Sequence, residues 1–170
     1  MERFSAGQHK APQEVRTFFV TASTWGRRQI FRSDPLAQLF IRTIDEYRRA
    51  GKFLLHEFVL MPDHFHVIIT PNYEIPLERA VQFIKGGFSY RVKKEMGSNL
   101  EVWSTGFTEH RIKDVADYEN HREYIRSNPV RGGLSAGATE YPYSSAAGRI
   151  SLDARPGLKP ISSVPAVSPG

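Results

Sequence analysis

The sequence predicts an α+β domain, a ferredoxin-like or RNA-recognition-motif-like antiparallel sheet with helices packed on it, in the order βαββαβα. Three observations carry this. Segments rich in β-branched and aromatic residues alternate with segments of helical period. At the centre, Met61-Pro62-Asp63 separates two strand-like runs by a tight turn, which makes a hairpin. And 170 residues with a 40% hydrophobic share suit one domain with a sizeable core.

Taken in order, residues 15–24 read as a strand, broken by Gly26-Arg27-Arg28. Ser33 or Asp34 caps a helix with Pro35 in its first turn, Leu36, Leu39, Phe40, Ile44 and Tyr47 forming its apolar stripe, and Gly51 ending it. Residues 53–60 and 64–70 form the hairpin. Leu77, Ala80, Val81, Ile84, Phe88 and Val92 define a second amphipathic helix reaching Met96. Within it, Gly86-Gly87 costs stability and implies close backbone approach, either to a bound ligand or to a packed neighbour. A further strand lies within 102–113, with Gly106 as an irregularity. Asp114 caps a third helix over 115–127, which Pro129 is expected to end. Residues 1–14 read as a flexible lead-in, 15–150 as a single domain, and 151–170, poor in large apolar groups, as a disordered tail.

Composition narrows the function. No cysteine is present, which removes disulfides, thiolate metal ligands and thiol catalysis, and fits a cytoplasmic location. No apolar run approaches the ~18 residues needed to cross a bilayer, and the first 13 residues show no apolar signal core. An excess of 23 Lys+Arg over 18 Asp+Glu, net +5, favours a polyanionic partner.

Two motifs carry chemistry. In a strand, His64 and His66 point to the same face, roughly 7 Å apart along the chain, while Phe65, Val67 and Ile69 point to the other and supply core. Such a pair is either a half-exposed strand face or two imidazoles sharing one cation. On the third helix, Tyr124 and Asn128 stand at i, i+4, with His121 at i−3. The tyrosine is either an ordinary surface residue or a nucleophile toward phosphorus, with the amide completing a metal's ligand set. Pro129 biases Asn128 away from helical angles.

Together these residues resemble the REP-associated tyrosine transposases of the HUH single-strand transposase superfamily. The resemblance rests on Leu60-Met61-Pro62-Asp63-His64-Phe65-His66, on the run from Glu123-Tyr124 through Asn128-Pro129-Val130-Arg131-Gly132-Gly133-Leu134, on Ile84-Lys85-Gly86, on Trp103 with Phe107 to Ile112, and on Tyr141-Pro142-Tyr143-Ser144-Ser145. It covers roughly residues 15–148. It implies that His64, His66 and Asn128 hold a divalent ion, Mg2+ or Mn2+. It implies that Tyr124 attacks a DNA phosphate, leaving a 5′-phosphotyrosine and a free 3′-hydroxyl, and that a second 3′-hydroxyl then rejoins the strands. The implied substrate is single-stranded DNA with hairpin-forming repeats, and the implied state is a monomer or homodimer. Lys85, Arg91, Arg111 and Arg131 are candidate DNA contacts, and His110 and His121 candidate accessory residues. A metal-bound water and His121 both stand as acceptors of the Tyr124 proton, and Tyr118 is the next candidate nucleophile. Trp103 and Phe107 read as core before base-stacking platforms. Two rival readings use the same residues: a metal phosphoesterase or nuclease acting through activated water, and a non-catalytic nucleic-acid-binding module.

Overall fold

A computed structural model describes residues 16–158. β1 (Phe18–Ser23), β2 (Phe53–Met61), β3 (His64–Pro71) and β4 (Thr108–Arg111) form one sheet in the order β2-β3-β1-β4, with every neighbour antiparallel. Helices α1 (Asp34–Arg49), α2 (Leu77–Met96) and α3 (Val115–Arg131) complete the expected βαββαβα order. Pro62-Asp63 makes the hairpin turn between β2 and β3, as expected from the fixed φ of proline.

Strand alternation sorts the side chains onto two faces. Val20, Ala22, Phe58, Leu60, Phe65, Val67 and Ile69 join Phe40, Ile44, Ile84 and Phe88 of α1 and α2 in the larger core. On the opposite face, Val59, Met61 and Ile68 pack with Tyr118 and Ile125 of α3. Helices thus cover both faces of β2 and β3, which is why these strands read as nearly continuous burial. Gly87 explains the glycine pair: a Cβ there would lie 2.5 Å from the Tyr47 ring, so its absence lets α2 approach α1. Trp103 is core, as read: its ring packs among Phe31, Phe40, Phe65 and Phe88, and its Nε1–H donates to Lys85 O at 3.0 Å.

The strand expected within 102–113 is Thr108–Arg111, preceded by an isolated bridge between Trp103 and Thr24, and Gly106, at φ +79°, separates the two. Two other expectations need correction. Helix α3 does not stop before Pro129 but runs to Arg131. Proline in the last turn forfeits only its own N–H, and the end is closed by Gly132 N to Asn128 O (2.9 Å), Gly133 N to Val130 O (3.1 Å) and Leu134 N to Pro129 O (2.8 Å). Asn128 therefore stays within the helix, one turn beyond Tyr124. Finally, the tail expected from residue 151 docks as far as Leu158. Asp153 accepts from Leu55 N–H (2.8 Å) and from Arg48 Nε (3.1 Å), its own N–H donates to Leu55 O (2.9 Å), and Ile150 and Leu152 pack on the core. One aspartate with two apolar neighbours covers part of the open edge of β2. Residues 1–15 and 159–170 lie outside the described residues, so the lead-in and the rest of the tail remain expectations.

Candidate active site on the α3 face of the sheet

β3 starts at His64, so the His-Phe-His triplet sits on a paired strand and not on a loop. The register sets His66 opposite Thr21 on β1 and Val59 on β2, and His64 opposite Ser23 and Met61. Both imidazoles face α3, with ring centroids 4.8 Å apart. In each, Nδ1 is engaged. The Asp63 carboxylate accepts from His64 Nδ1 at 2.7 Å, and His66 Nδ1 shares a 2.6 Å hydrogen bond with Thr21 Oγ1. Asp63 is in turn paired with Arg27 Nε at 3.2 Å.

His66 Nε2 is buried and finds no hydrogen-bond partner among the described residues. Burial pushes the His66 pKa down to about 3, helped by the charges of His64, Arg131 and Arg27, so the imidazole is neutral at physiological pH. With its proton on Nδ1 and donated to Thr21, the ring presents a lone pair at Nε2. A buried, neutral, unpartnered imidazole nitrogen beside a second imidazole oriented by a carboxylate suits a divalent metal ion, because the outer partners fix tautomer and ring orientation. Asn128 is half-buried and belongs to a turn of α3 packed on Met61: a Cβ at Gly132 would touch both Met61 Cε and Asn128 O. Since Met61 is the strand partner of His64, the backbone of Asn128 lies at the same end of the sheet.

Tyr124 comes to the imidazole pair from α3. Its ring lies 5.3 Å from that of His66 and 6.0 Å from that of Phe19, the Arg131 guanidinium sits 4.5 Å from its centroid, and the residue is 41% exposed. Tyr118, by contrast, is buried against His56, and burial raises its phenol to about 12. That makes it a poor nucleophile beside the exposed Tyr124.

The helix is held by a buried carboxylate that the sequence reading passed over. Glu57, 3% exposed on β2, accepts from Arg122 Nε (3.0 Å), Arg126 Nη2 (3.2 Å) and the Ser145 hydroxyl. The two arginines flank Tyr124 at −2 and +2, so one strand residue fixes how the phenol is presented. Removing one partner of a buried pair strands the other. Glu57→Ala is expected to cost about 3 kcal/mol in urea denaturation, the low end of the range because both arginines are partly exposed.

The other expected residues divide. Arg131 reaches the site. Arg91 lies on α2, bonded to Thr43 and paired with Glu46, across the sheet from Tyr124. Arg111 pairs in register with Phe18, whose side packs with α1 and α2, so it too points to the opposite face. Lys85 gives its ammonium to Ser104 O (3.0 Å) and Gly106 O (2.7 Å), holding the loop before β4. His110 and His121 converge on Asp117 and not on the imidazole pair. Sequence reasoning did not single out Asp63, Thr21 and Arg27 as site residues, nor Trp25, 54% exposed with Arg28 at 5.2 Å from its ring centroid. Asp63 adjoins the motif in sequence; Thr21 becomes visible only through strand register.

Similarity to known proteins agrees with this geometry. Residues 17–128 match the family described as "Transposase IS200 like". The REP-associated tyrosine transposase of Escherichia coli (strain K12) is 26% identical over 157 residues, covering 87% of this chain and 88% of that protein. A solved REP-associated tyrosine transposase bound to a REP hairpin superposes with a TM-score of 0.66 at 25% identity, over 85% of this chain and 82% of the other. A crystal structure of a Deinococcus radiodurans R1 protein shares the fold at 15% identity and a TM-score of 0.50, over 64% of this chain and 87% of that one. With the match spanning most of the folded chain and a tyrosine set against paired histidines, this protein belongs to the IS200-like transposase family.

Proposed function

We propose that the protein cuts and rejoins single-stranded DNA at hairpin-forming repeats through a covalent phosphotyrosine on Tyr124. The observation that carries this reading is the approach of the exposed Tyr124 ring to His66, whose Nε2 is buried without a partner. The phenolic oxygen attacks the scissile phosphorus, and the bond from phosphorus to the 3′ oxygen breaks. The products are a 5′-phosphotyrosine and a free 3′-hydroxyl. A second 3′-hydroxyl then attacks the same phosphorus and releases the phenol. Each step exchanges one phosphodiester for another, so no external energy source is needed.

His64, His66 and the Asn128 amide would hold Mg2+ or Mn2+, and a bound ion supplies Lewis-acid polarisation of phosphate oxygens. The chain's own groups do the rest. Asp63 and Thr21 keep the imidazole lone pairs aimed, Glu57 sets α3 through Arg122 and Arg126, and Arg131 places positive charge over the phenol ring. His66 and Tyr124 belong to one chain and their rings lie 5.3 Å apart, so a second copy is not required to complete the site. DNA contacts fit best around this site: Arg131 and Arg27 beside Asp63 supply cations, and Trp25 with Arg28, adjoining Arg27 in sequence, adds an exposed aromatic, the combination that binds single strands. No helix among the described residues is long and apolar enough to cross a membrane, and a DNA substrate accords with the cytoplasmic location expected from the sequence.

The test uses single-stranded oligonucleotides carrying repeats from the flanks of the gene itself. Cleavage is expected with Mg2+ or Mn2+, on the hairpin form and not on the fully paired duplex, and is expected to stop in excess EDTA. Unchanged cutting in EDTA would remove the metal from the reaction. Cutting without any protein–DNA adduct would favour hydrolysis by activated water.

A further inference from the structure

The strand-transfer proposal leaves a second histidine cluster without a task. His110 lies on edge strand β4, opposite Phe19, and His121 lies in the second turn of α3. Their rings stack 4.6 Å apart with planes inclined by only 17°. Both turn a nitrogen toward one carboxylate, that of Asp117, a residue 9% exposed. His110 Nε2 is 3.0 Å from Oδ1 and 2.8 Å from Oδ2, and His121 Nδ1 is 3.1 Å from Oδ1. One donor atom from each of the three residues falls within 4.8 Å of the others.

We propose that His110, Asp117 and His121 form a second divalent-cation site, separate from the His64–His66 pair and suited to a d-block ion such as Zn2+, Mn2+ or Co2+. The donor set of two imidazoles and one carboxylate prefers such ions over Mg2+, which takes oxygen ligands. The spacing agrees. Donors ~2.0–2.2 Å from a cation and at right angles to one another stand ~3 Å apart, which is the separation of both ring nitrogens from Oδ1. The carboxylate is held from outside as metal ligands usually are: Lys113 N–H donates to Oδ2 at 3.0 Å, and the Asp117 N–H is itself fixed by the helix cap at Asp114 Oδ1, 2.8 Å away. In the ion-free chain the imidazole N–H groups satisfy the carboxylate, and His121 Nδ1 also faces Asp117 O at 2.8 Å. Ion binding needs the other tautomer of each ring, which turns those hydrogen-bonding nitrogens into lone-pair donors, and a turn of one imidazole out of the stack so that both lone pairs meet at one ion. The His110 side chain is 44% exposed, so an ion can enter and keep water or a phosphate oxygen on its outer side. Phe19 separates the two centres, its ring 5.2 Å from that of His66 and 4.7 Å from that of His121. An ion here would pin the edge strand to the helix that carries Tyr124.

The experiment is metal titration of the full-length, metal-stripped protein by calorimetry with Zn2+ and by visible absorption with Co2+. The variant H64A/H66A is expected to bind one ion, and the further change His110→Ala, at an exposed edge-strand position, to weaken that binding at least ~10-fold. In an otherwise unaltered chain, His110→Ala is expected to lower the stoichiometry from two ions to one, with far-UV circular dichroism unchanged. Absence of binding by H64A/H66A, or equal affinity with and without His110, overturns the proposal. Neither result bears on cleavage by the first pair, so the strand-transfer reading would survive.

Discussion

Tyr124→Phe is expected to abolish strand cleavage, by at least ~10³-fold, while hairpin affinity stays within a few-fold of the unaltered protein. The substitution removes one oxygen and little else. The phenol ring makes the contacts to His66, Phe19 and Arg131, and phenylalanine keeps the ring in place. At 41% exposure the hydroxyl contributes nothing to a buried network, so stability should change little. The comparison is a cleavage assay on denaturing gels beside a gel-shift titration with the same hairpin. If Tyr124→Phe cut at the normal rate, the nucleophile would be misassigned. Tyr118 could not simply take over, because it is buried and its phenol is raised to about 12.

The second large effect comes from His66, and it has two signs. His66→Gln is expected to reduce cleavage by at least ~10²-fold, since the unpartnered Nε2 is the site's clearest ligand atom. The same change should make the metal-free protein less sensitive to acid. Folded, the His66 imidazole titrates at about 3; unfolded, near its ordinary 6.5. Between those values the unfolded state binds the extra proton, so stability falls as pH drops from 6.5 toward 3 and levels off below. At the lower end this amounts to roughly 5 kcal/mol at most. Urea midpoints measured between pH 7 and 4 should therefore fall steeply in the unaltered protein and less in His66→Gln. Some slope should remain, because burial also lowers the pKa of His56. Equal slopes in the two proteins would contradict a neutral, buried His66.

The fold was legible because its period is local. Alternating residues in β1 and β3 and the stripe from Leu77 to Val92 announce strand and helix without knowledge of their partners. The shared face of His64 and His66 follows from the same alternation. What brings Tyr124 to that face is not local. It depends on Glu57, a carboxylate buried in a strand that otherwise reads as apolar, meeting two arginines on a helix 65 and 69 residues away. No periodicity encodes such a pairing. The placement of the basic residues is hidden for a related reason. Sequence tells that Lys85, Arg91 and Arg111 are cationic, not that backbone carbonyls take the first or that the other two face away from the phenol. Pro129 and Asp153 show the limits of composition: a proline is tolerated in a last helical turn, and one aspartate with two apolar neighbours docks a segment that reads as tail.

The central claim is a bond between Tyr124 and DNA. Incubating the full-length protein and Mn2+ with a repeat oligonucleotide, then denaturing and digesting it, allows peptide mass spectrometry to locate any nucleotide adduct. The account predicts a 5′-phosphonucleotide on the peptide containing Tyr124, with a matching free 3′-hydroxyl on the released strand. Cleaved DNA with no modified peptide, or an adduct on another residue, would contradict it.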